Sequence, residues 1–327
     1  MTVTRSKANL WLHDVLLQGF LKNGFSKSNG SKSWELTELQ YLGLTDDLAK
    51  GFLKFSKNPI YSKQFFDMEI GMIKKQARLI AENIGNKDFN LIDIYCGDGL
   101  KVVEFIKEFN SITSGNVNIR YCPLNSSQYL LDLAVSNVSK AGFSNLKECK
   151  PFLSSGDGRA LRPIAKKLKS DNYLKNVVVL LGGVIACFDI NEYLFELEMD
   201  LSKEDVLIIG NGIRVGDRLV DIHKYKTPAF HDWLKHLMFG LGFDEKDFEF
   251  DVRFGNSRVE FVYKLKNDFT KSIDGKKVDF KSGDEFVVAA LYKYYSDEFE
   301  KFCKMYFSNP KIIVDESNEY ALVVCKK

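Results

Sequence analysis

Asp93-Ile94-Tyr95-Cys96-Gly97-Asp98-Gly99 marks the point where a short apolar run hands over to a helical pattern. Before it, residues 90–95 (NLIDIY) have the length and texture of a buried strand. After it, Val102, Val103, Ile106 and Phe109 recur at helical spacing. Glycines at such a turn let the backbone approach a bound nucleotide, and the helix N-terminus offers N–H groups with no partner inside the helix. The spacing departs from the GxGxxG of dinucleotide sites, which favours a single nucleoside cofactor. Similar turns occur in α/β proteins with no ligand, so the order of the surrounding elements matters.

Working outward, residues 117–124 (VNIRYCPL) read as a strand and 127–138 as a helix. Residues 177–181 and 206–209 read as further strands, apolar throughout. Strands of that kind alternating with helices indicate a parallel sheet covered on both faces. Upstream, Ile73, Ala77, Ile80 and Ile84 mark one long helix over 62–86, and the polar stretch 23–34 (NGFSKSNGSKSW) reads as a loop after a first helix. After Gly210 the period changes. Phe248, Phe250, Val252 and Phe254 alternate, as do Val259, Phe261, Tyr263 and Leu265, across Gly255-Asn256-Ser257; this is a hairpin, which 286–292 would join. A helix from Asp297 and strands at 311–314 and 320–324 return to the α/β texture. The expected fold is α/β, a doubly wound Rossmann-like sheet with an inserted smaller α+β domain. The expected division is 62–210 plus 295–327 for the sheet domain and 1–61 plus 211–294 for the other.

Composition removes several classes. The 327 residues carry 46 basic and 44 acidic side chains, a net charge of +2 that gives no field for steering nucleic acid or an anionic membrane. The N-terminal stretch lacks a signal peptide's apolar core, since His13 and Asp14 interrupt it, and the longest apolar run, 177–188, falls short of the ~20 residues of a membrane span. Six scattered cysteines form no CxxC pair, and His231 and His236 lack the spacing of a helical metal pair, so neither a disulfide framework nor a metal site is expected. A cytoplasmic setting follows. The 13% aromatic content fits either core or an apolar pocket.

The pattern DxYCGxG resembles motif I of class I S-adenosylmethionine (SAM)-dependent methyltransferases, some of which carry an aromatic at the first glycine position. The resemblance makes Asp93, Tyr95, Gly97 and Gly99 cofactor residues. Those enzymes end strand two with an acidic residue that accepts hydrogen bonds from the ribose. Here the position is Asn125, whose amide oxygen accepts without a carboxylate's charge-assisted strength. Ser155-Gly-Asp-Gly158 resembles the element that reads the adenine amino group, giving Asp157 and Gly158; a turn or cap would use Asp157 equally well.

From about Leu39 to the C-terminus the motifs together resemble the histidine-specific methyltransferase-like family, whose best-known member trimethylates histidine in ergothioneine synthesis. Fungal relatives methylate tryptophan-derived amines. Residues 48–63 (LAKGFLKFSKNPIYSK) match a segment with a substrate-facing Phe and Tyr, here Phe52 and Tyr61. Lys101 matches a cofactor-contacting lysine, residues 180–189 (LLGGVIACFD, with Gly182) match the strand-four signature, and Tyr225 lies near a substrate tyrosine. The departures are informative. The signature's head-group asparagine is Cys187, and the Glu and Ser that anchor imidazole fall at Ala289 and Leu291. Losing such groups costs on the order of 3 kcal/mol of discrimination, so the resemblance implies a small amine other than free histidine, in a more apolar pocket.

Tyr61, Tyr225 and Asp189 are the candidates for orienting the amine or accepting its proton. Each tyrosine also fits a core role, Asp189 fits an N-cap, and Cys187 fits an inert buried thiol. His223 and His231 lie near the start of the inserted unit and fit either the pocket or the surface, and 164–169 (IAKKLK) reads as a solvated helix face. Asn125 and Cys187 also leave open a family member without catalysis that acts as a scaffold. The segment before Leu39 leaves open a protein or peptide acceptor. Oligomeric state is not readable here.

Overall fold

In the computed structural model, residues 24–28, 30–154, 161–170, 172–215, 220–273 and 276–327 are described. The elements run β1 (Phe25–Ser28), β2 (Ser31–Glu35), α1 (Asp46–Ser56), α2 (Asp67–Lys75), α3 (Ala77–Ile84), β3 (Phe89–Ile94), α4 (Leu100–Thr113), β4 (Ile119–Asn125), α5 (Gln128–Lys140), β5 (Leu146–Cys149), β6 (Phe152–Leu153) and α6 (Leu161–Leu168). There follow β7 (Lys175–Leu180), α7 (Ile190–Asp200), β8 (Val206–Gly212), α8 (Pro228–Gly240), β9 (Phe248–Gly255), β10 (Arg258–Leu265), β11 (Phe269–Ile273), β12 (Lys276–Phe280), β13 (Glu285–Tyr292), α9 (Ser296–Tyr306), β14 (Ser308–Val314) and β15 (Tyr320–Lys326). The chain divides into two units. The first holds the described residues up to Ser56 with Val220–Leu291; the second holds Lys57–Leu219 with Tyr292–Lys327.

The second unit is built on a sheet of order β14-β15-β8-β7-β3-β4-β5, with β6 pairing β4. β3 runs parallel to both β4 and β7, β7 parallel to β8, and only β15 and β14 are antiparallel additions. This is the doubly wound sheet expected, and β3 between β4 and β7 is its switch point, where ligands of such folds bind beyond the carboxyl ends. Every residue of β3, β4, β7 and β8 is buried, as two covered faces require. One face packs on Met72 and Ile73 of α2, Ile80 and Ile84 of α3, and Val102, Phe105, Ile106 and Phe109 of α4, all in one core cluster. Each such side chain contributes roughly 1.5–3 kcal/mol by leaving water.

The two edges of this sheet differ. At the amino edge, buried Asn90 donates to the Leu168 carbonyl (3.1 Å) and to Asn176 Oδ1 (3.0 Å), and Asp205 accepts from the Asn176 (2.9 Å) and Ser202 (2.9 Å) N–H groups. Those groups satisfy one another and fix the strands. The carboxyl edge instead gathers glycines in the left-handed region: Gly97, Gly99, Gly182 and Gly183.

The long helix expected over 62–86 is segmented. A π turn (Ser62–Phe66) precedes α2, and Gln76 (φ −104°, ψ 12°) separates α2 from α3. Neither Gly nor Pro stands at Gln76 to explain the break. Lys57–Tyr61, expected with the N-terminal segment, belongs to the second unit.

The first unit has a five-stranded sheet of order β1-β2-β13-β10-β9 and a separate β11–β12 pair. The β9–β10 hairpin turns through Asn256 and Ser257 (φ 51° and 59°), the left-handed pair that a two-residue loop demands. The stretch 23–34, expected to be a loop, contributes β1 and β2, with Ser28 paired to Ser31. Its Asn29-Gly30 dipeptide is a hairpin signal that the Ser- and Lys-rich surroundings obscured. β2 then pairs in parallel with β13, a contact no local pattern announces.

Candidate functional site

Tyr95, Gly97 and Gly99 all take left-handed φ values (54°, 55° and 76°), so Tyr95 does what a glycine would do at the first position of the turn. A tyrosine held there costs roughly 1–2 kcal/mol, the kind of strain that clusters at functional sites. Its N–H donates to the Leu124 carbonyl at 2.8 Å, which ties the turn to the end of β4. Gly99 caps α4, and a Cβ there would lie 2.9 Å from Ala134 Cα, so α4 and α5 approach too closely for a side chain.

Asp93 ends β3 at 4% exposure and accepts the Tyr121 hydroxyl at 2.9 Å. Burial pushes its carboxyl up to about 7, against the opposing pull of the Tyr121 hydroxyl and the Lys101 ammonium. Its folded value lies above the free one, so its contribution to stability is full below about pH 4 and is lost as pH rises through 7. Tyr121→Phe removes a bond to the charged form. It should move the pH midpoint of cationic-cofactor binding upward by roughly one unit, as measured by titrations from pH 5.5 to 8.5. An unmoved midpoint would mean that Asp93 is not the group titrating.

Asn125 ends β4 at 4% exposure, and its Oδ1 accepts the Ser127 N–H at 2.9 Å. An amide oxygen has a second lone pair, so a ribose hydroxyl remains compatible with that bond. Asp157 and Gly158 lie outside the described residues.

On the β7 side of β3, Lys101 Nζ bonds Glu69 Oε2 at 2.5 Å. The Glu69 carboxylate also accepts the Gly182 N–H at 2.8 and 3.0 Å and the Tyr320 hydroxyl at 2.6 Å. Glu69 is fully buried; the Lys101 side chain keeps 17% of its exposure. Burial alone would lower the ammonium's value, but Glu69 outweighs it and Lys101 is held above its ordinary range. A Cβ on Gly182 would meet Lys101 Nζ at 2.9 Å and the Tyr61 hydroxyl at 3.9 Å, so both polar groups stand over that glycine. The Tyr61 hydroxyl is pushed up by burial, with Lys101 opposing and Glu69, Asp98 and Cys187 adding. Tyr61, Lys101 and Gly182 are thus brought together. Glu69 and Tyr320 were missed. Glu69 lies on the same helix face as the buried Ile73, and an acidic residue on an apolar face is the signal that could have found it.

Cys187 closes a short 3-10 turn, and burial pushes its thiol up to about 12, with Lys293 opposing; it is a neutral thiol, not a nucleophile. Asp189 is exposed and caps α7 by accepting the Glu192 N–H at 3.0 Å. Phe52, Tyr225, Ala289 and Leu291 belong to the first unit. Phe52 packs at a tilt against Trp233 (5.3 Å), Phe55 stacks on Trp233 (5.1 Å) and meets Phe230 (4.4 Å), and Tyr225 and Phe261 lie 6.0 and 4.7 Å from Phe230. Part of the aromatic excess is therefore one continuous cluster holding Phe52 and Tyr225. Ala289 is buried and Leu291 half-buried on β13. His231 is committed to Tyr263 (3.2 Å), His223 is exposed, and Lys166 and Lys167 form the solvated face of α6.

Among the described residues no group of three or more His, Cys, Asp or Glu could hold a metal, and no helix is long and apolar enough to cross a membrane.

A family model described as histidine-specific methyltransferase, SAM-dependent, matches residues 52–327. No curated protein sequence matches the chain significantly. Solved structures similar to it include DesVI from Streptomyces venezuelae, at 12% identity over 79% of this chain and 91% of that one, with a TM-score of 0.38. A protein from Pyrococcus horikoshii matches at 13% identity over 86% and 99%, TM-score 0.42. A SAM-bound amino pentose methyltransferase from Micromonospora echinaspora matches at 9% over 86% and 97%, TM-score 0.38. Likenesses this distant carry nothing about acceptor.

Proposed function

Because the chain belongs to the histidine-specific, SAM-dependent methyltransferase family, we propose that it N-methylates a small amine or amino-acid-derived molecule other than free histidine. SAM is its cofactor, and the residues present suit it. Gly97 and Gly99 put no side chain of their own on the left-handed turn, Asn125 ends β4, whose Leu124 carbonyl accepts the Tyr95 N–H, and Lys101 offers a cation over Gly182. Asp93, Tyr95, Gly97, Gly99, Lys101, Asn125 and Gly182 are assigned to holding it, with Asp157 and Gly158 assigned from the sequence resemblance alone. When bound, SAM supplies a methyl group already activated on a sulfonium.

The protein's own task is then to position the acceptor and exclude water. Tyr61, its hydroxyl pushed up by burial, keeps its proton at neutral pH and acts by orienting the amine. Glu69 has three donors on its carboxylate and is not available as a base. An amine must be neutral to attack the methyl group. Phe52, Tyr225, Ala289, Leu291 and Cys187 are assigned to acceptor binding, and the first unit is assigned the role of substrate domain.

What supports the acceptor class is the presence of Cys187, Ala289 and Leu291 where the family resemblance puts polar anchors, together with the first unit's own aromatic cluster containing Phe52 and Tyr225. A net charge of +2 suits a small molecule better than nucleic acid, and six free cysteines suit a cytoplasmic setting. Methyl transfer from radiolabelled SAM across aromatic, aliphatic and amino-acid amines tests the reading. Transfer to aromatic or apolar amines, with free histidine at least about a hundredfold poorer, is expected from ~3 kcal/mol of lost discrimination. Micromolar binding of free histidine would refute it.

A further inference from the structure

Glu69 belongs to no part of the strand–turn–helix motif, yet the carboxyl edge of the sheet is shaped around it. A Cβ on Gly210 would lie 1.9 Å from Glu69 Oε1 and 2.7 Å from the Tyr320 hydroxyl. The absence of a side chain at Gly210 therefore makes the room that the carboxylate fills. Gly182 does the same for the other half of the pair, since its missing Cβ leaves the place beside Lys101 Nζ. Four separate elements meet at this carboxylate: α2 carries it, α4 supplies Lys101, the turn after β7 supplies the Gly182 N–H, and β15 supplies Tyr320. Phe66, in the π turn, covers the ammonium from 5.9 Å.

An ion pair with one partner fully buried is a poor device for stability alone, because apolar side chains of similar size do as well. Three donors already occupy the carboxylate. What it does is hold the Lys101 ammonium in one place. An ammonium has three donors, and Glu69 takes one.

The place matters because of the strand order. β3 lies between β4 and β7. Asn125 closes β4 on one side of the Tyr95–Gly99 turn, and Gly182 follows β7 on the other. A nucleoside lying across the turn with its ribose at Asn125 carries its other arm toward β7, where Lys101 stands.

We infer that Glu69, supported by Tyr320, is a positioning residue that aims the Lys101 ammonium at the carboxylate of the cofactor's amino-acid arm. The inference rests on the reading of the turn as the SAM site. Only an anion on that arm uses the charge, so the effect of disturbing Glu69 is selective by ligand. A residue that merely supports the fold would affect all ligands of the site alike.

Titration calorimetry of the full chain with S-adenosylhomocysteine and with 5′-methylthioadenosine, which lacks the amino-acid arm, separates the two cases. For Glu69→Gln the expected result is a loss of about tenfold or more for S-adenosylhomocysteine and a change within about twofold for 5′-methylthioadenosine. Tyr320→Phe keeps the ion pair and should show the same selectivity at about threefold. Parallel losses for both ligands in either variant, or no change for both, would overturn the positioning role. If Glu69→Gln does not fold, Tyr320→Phe alone decides. Wild-type protein that binds neither ligand would overturn the cofactor site itself, a result distinct from a failure of positioning.

Discussion

Lys101→Met is expected to cost about 3–5 kcal/mol of stability, because it leaves the fully buried Glu69 carboxylate without its counter-charge. Methionine matches the lysine stem in length, so the loss is electrostatic rather than a matter of packing. The remaining donors, the Gly182 N–H and the Tyr320 hydroxyl, are neutral and offset only part of the buried charge. The double variant Lys101→Met/Glu69→Gln removes both charges and should recover most of that stability, since a neutral amide still accepts those two bonds. Cofactor affinity should not recover, because the ammonium is gone in both proteins. Urea unfolding and SAM titration of the single and double variants read the two effects separately. Equal stability of the single variant and wild type would mean that the pair is not buried as described.

Gly99→Ala is expected to lose about 3 kcal/mol, combining ~1–2 kcal/mol for a left-handed φ in an alanine with the steric cost of overpacking. The steric part arises because the new Cβ would meet backbone of α5, Ala134 Cα at 2.9 Å and its carbonyl oxygen at 3.0 Å, which cannot rotate aside. Relief requires α4 and α5 to separate, and that moves the turn from which Lys101 projects. SAM affinity should therefore fall about tenfold or more, in step with a shift of over ~1.4 kcal/mol. Gly85→Ala is the control for backbone strain alone. Its φ of 78° and ψ of −158° lie in a region that is essentially glycine's, so alanine costs ~1–3 kcal/mol there, but nothing lies within 4 Å of the added Cβ and SAM binding should be unchanged. Similar losses of SAM affinity from both glycines would show that backbone strain, not the close approach of α4 and α5, decides Gly99.

The strands β3, β7 and β8 were legible because burial on both faces writes itself as an unbroken apolar run. The motif turn was legible because only glycines, and here Tyr95, tolerate its left-handed backbone. The hairpin of β1 and β2 was not, since half-exposed Ser and Lys carry little strand signal until β13 pairs alongside. The break at Gln76 left no mark in the periodicity, because Ile73, Ala77 and Ile80 stay buried across it. In the site, Lys101 and Gly182 stood in recognisable motifs. Tyr320 could not be found, because its bond to Glu69 joins residues 251 apart and exists only once β15 has docked on β8. Glu69 and Gly210 explain one another in space and are unremarked in sequence.

The most direct test of the account is titration calorimetry of the wild-type chain with SAM at neutral pH. One cofactor bound per chain with micromolar affinity, weakened about tenfold or more in Lys101→Met and in Gly99→Ala but unchanged in Gly85→Ala, is the predicted result. No binding at millimolar SAM, or binding indifferent to Lys101 and Gly99, would contradict it.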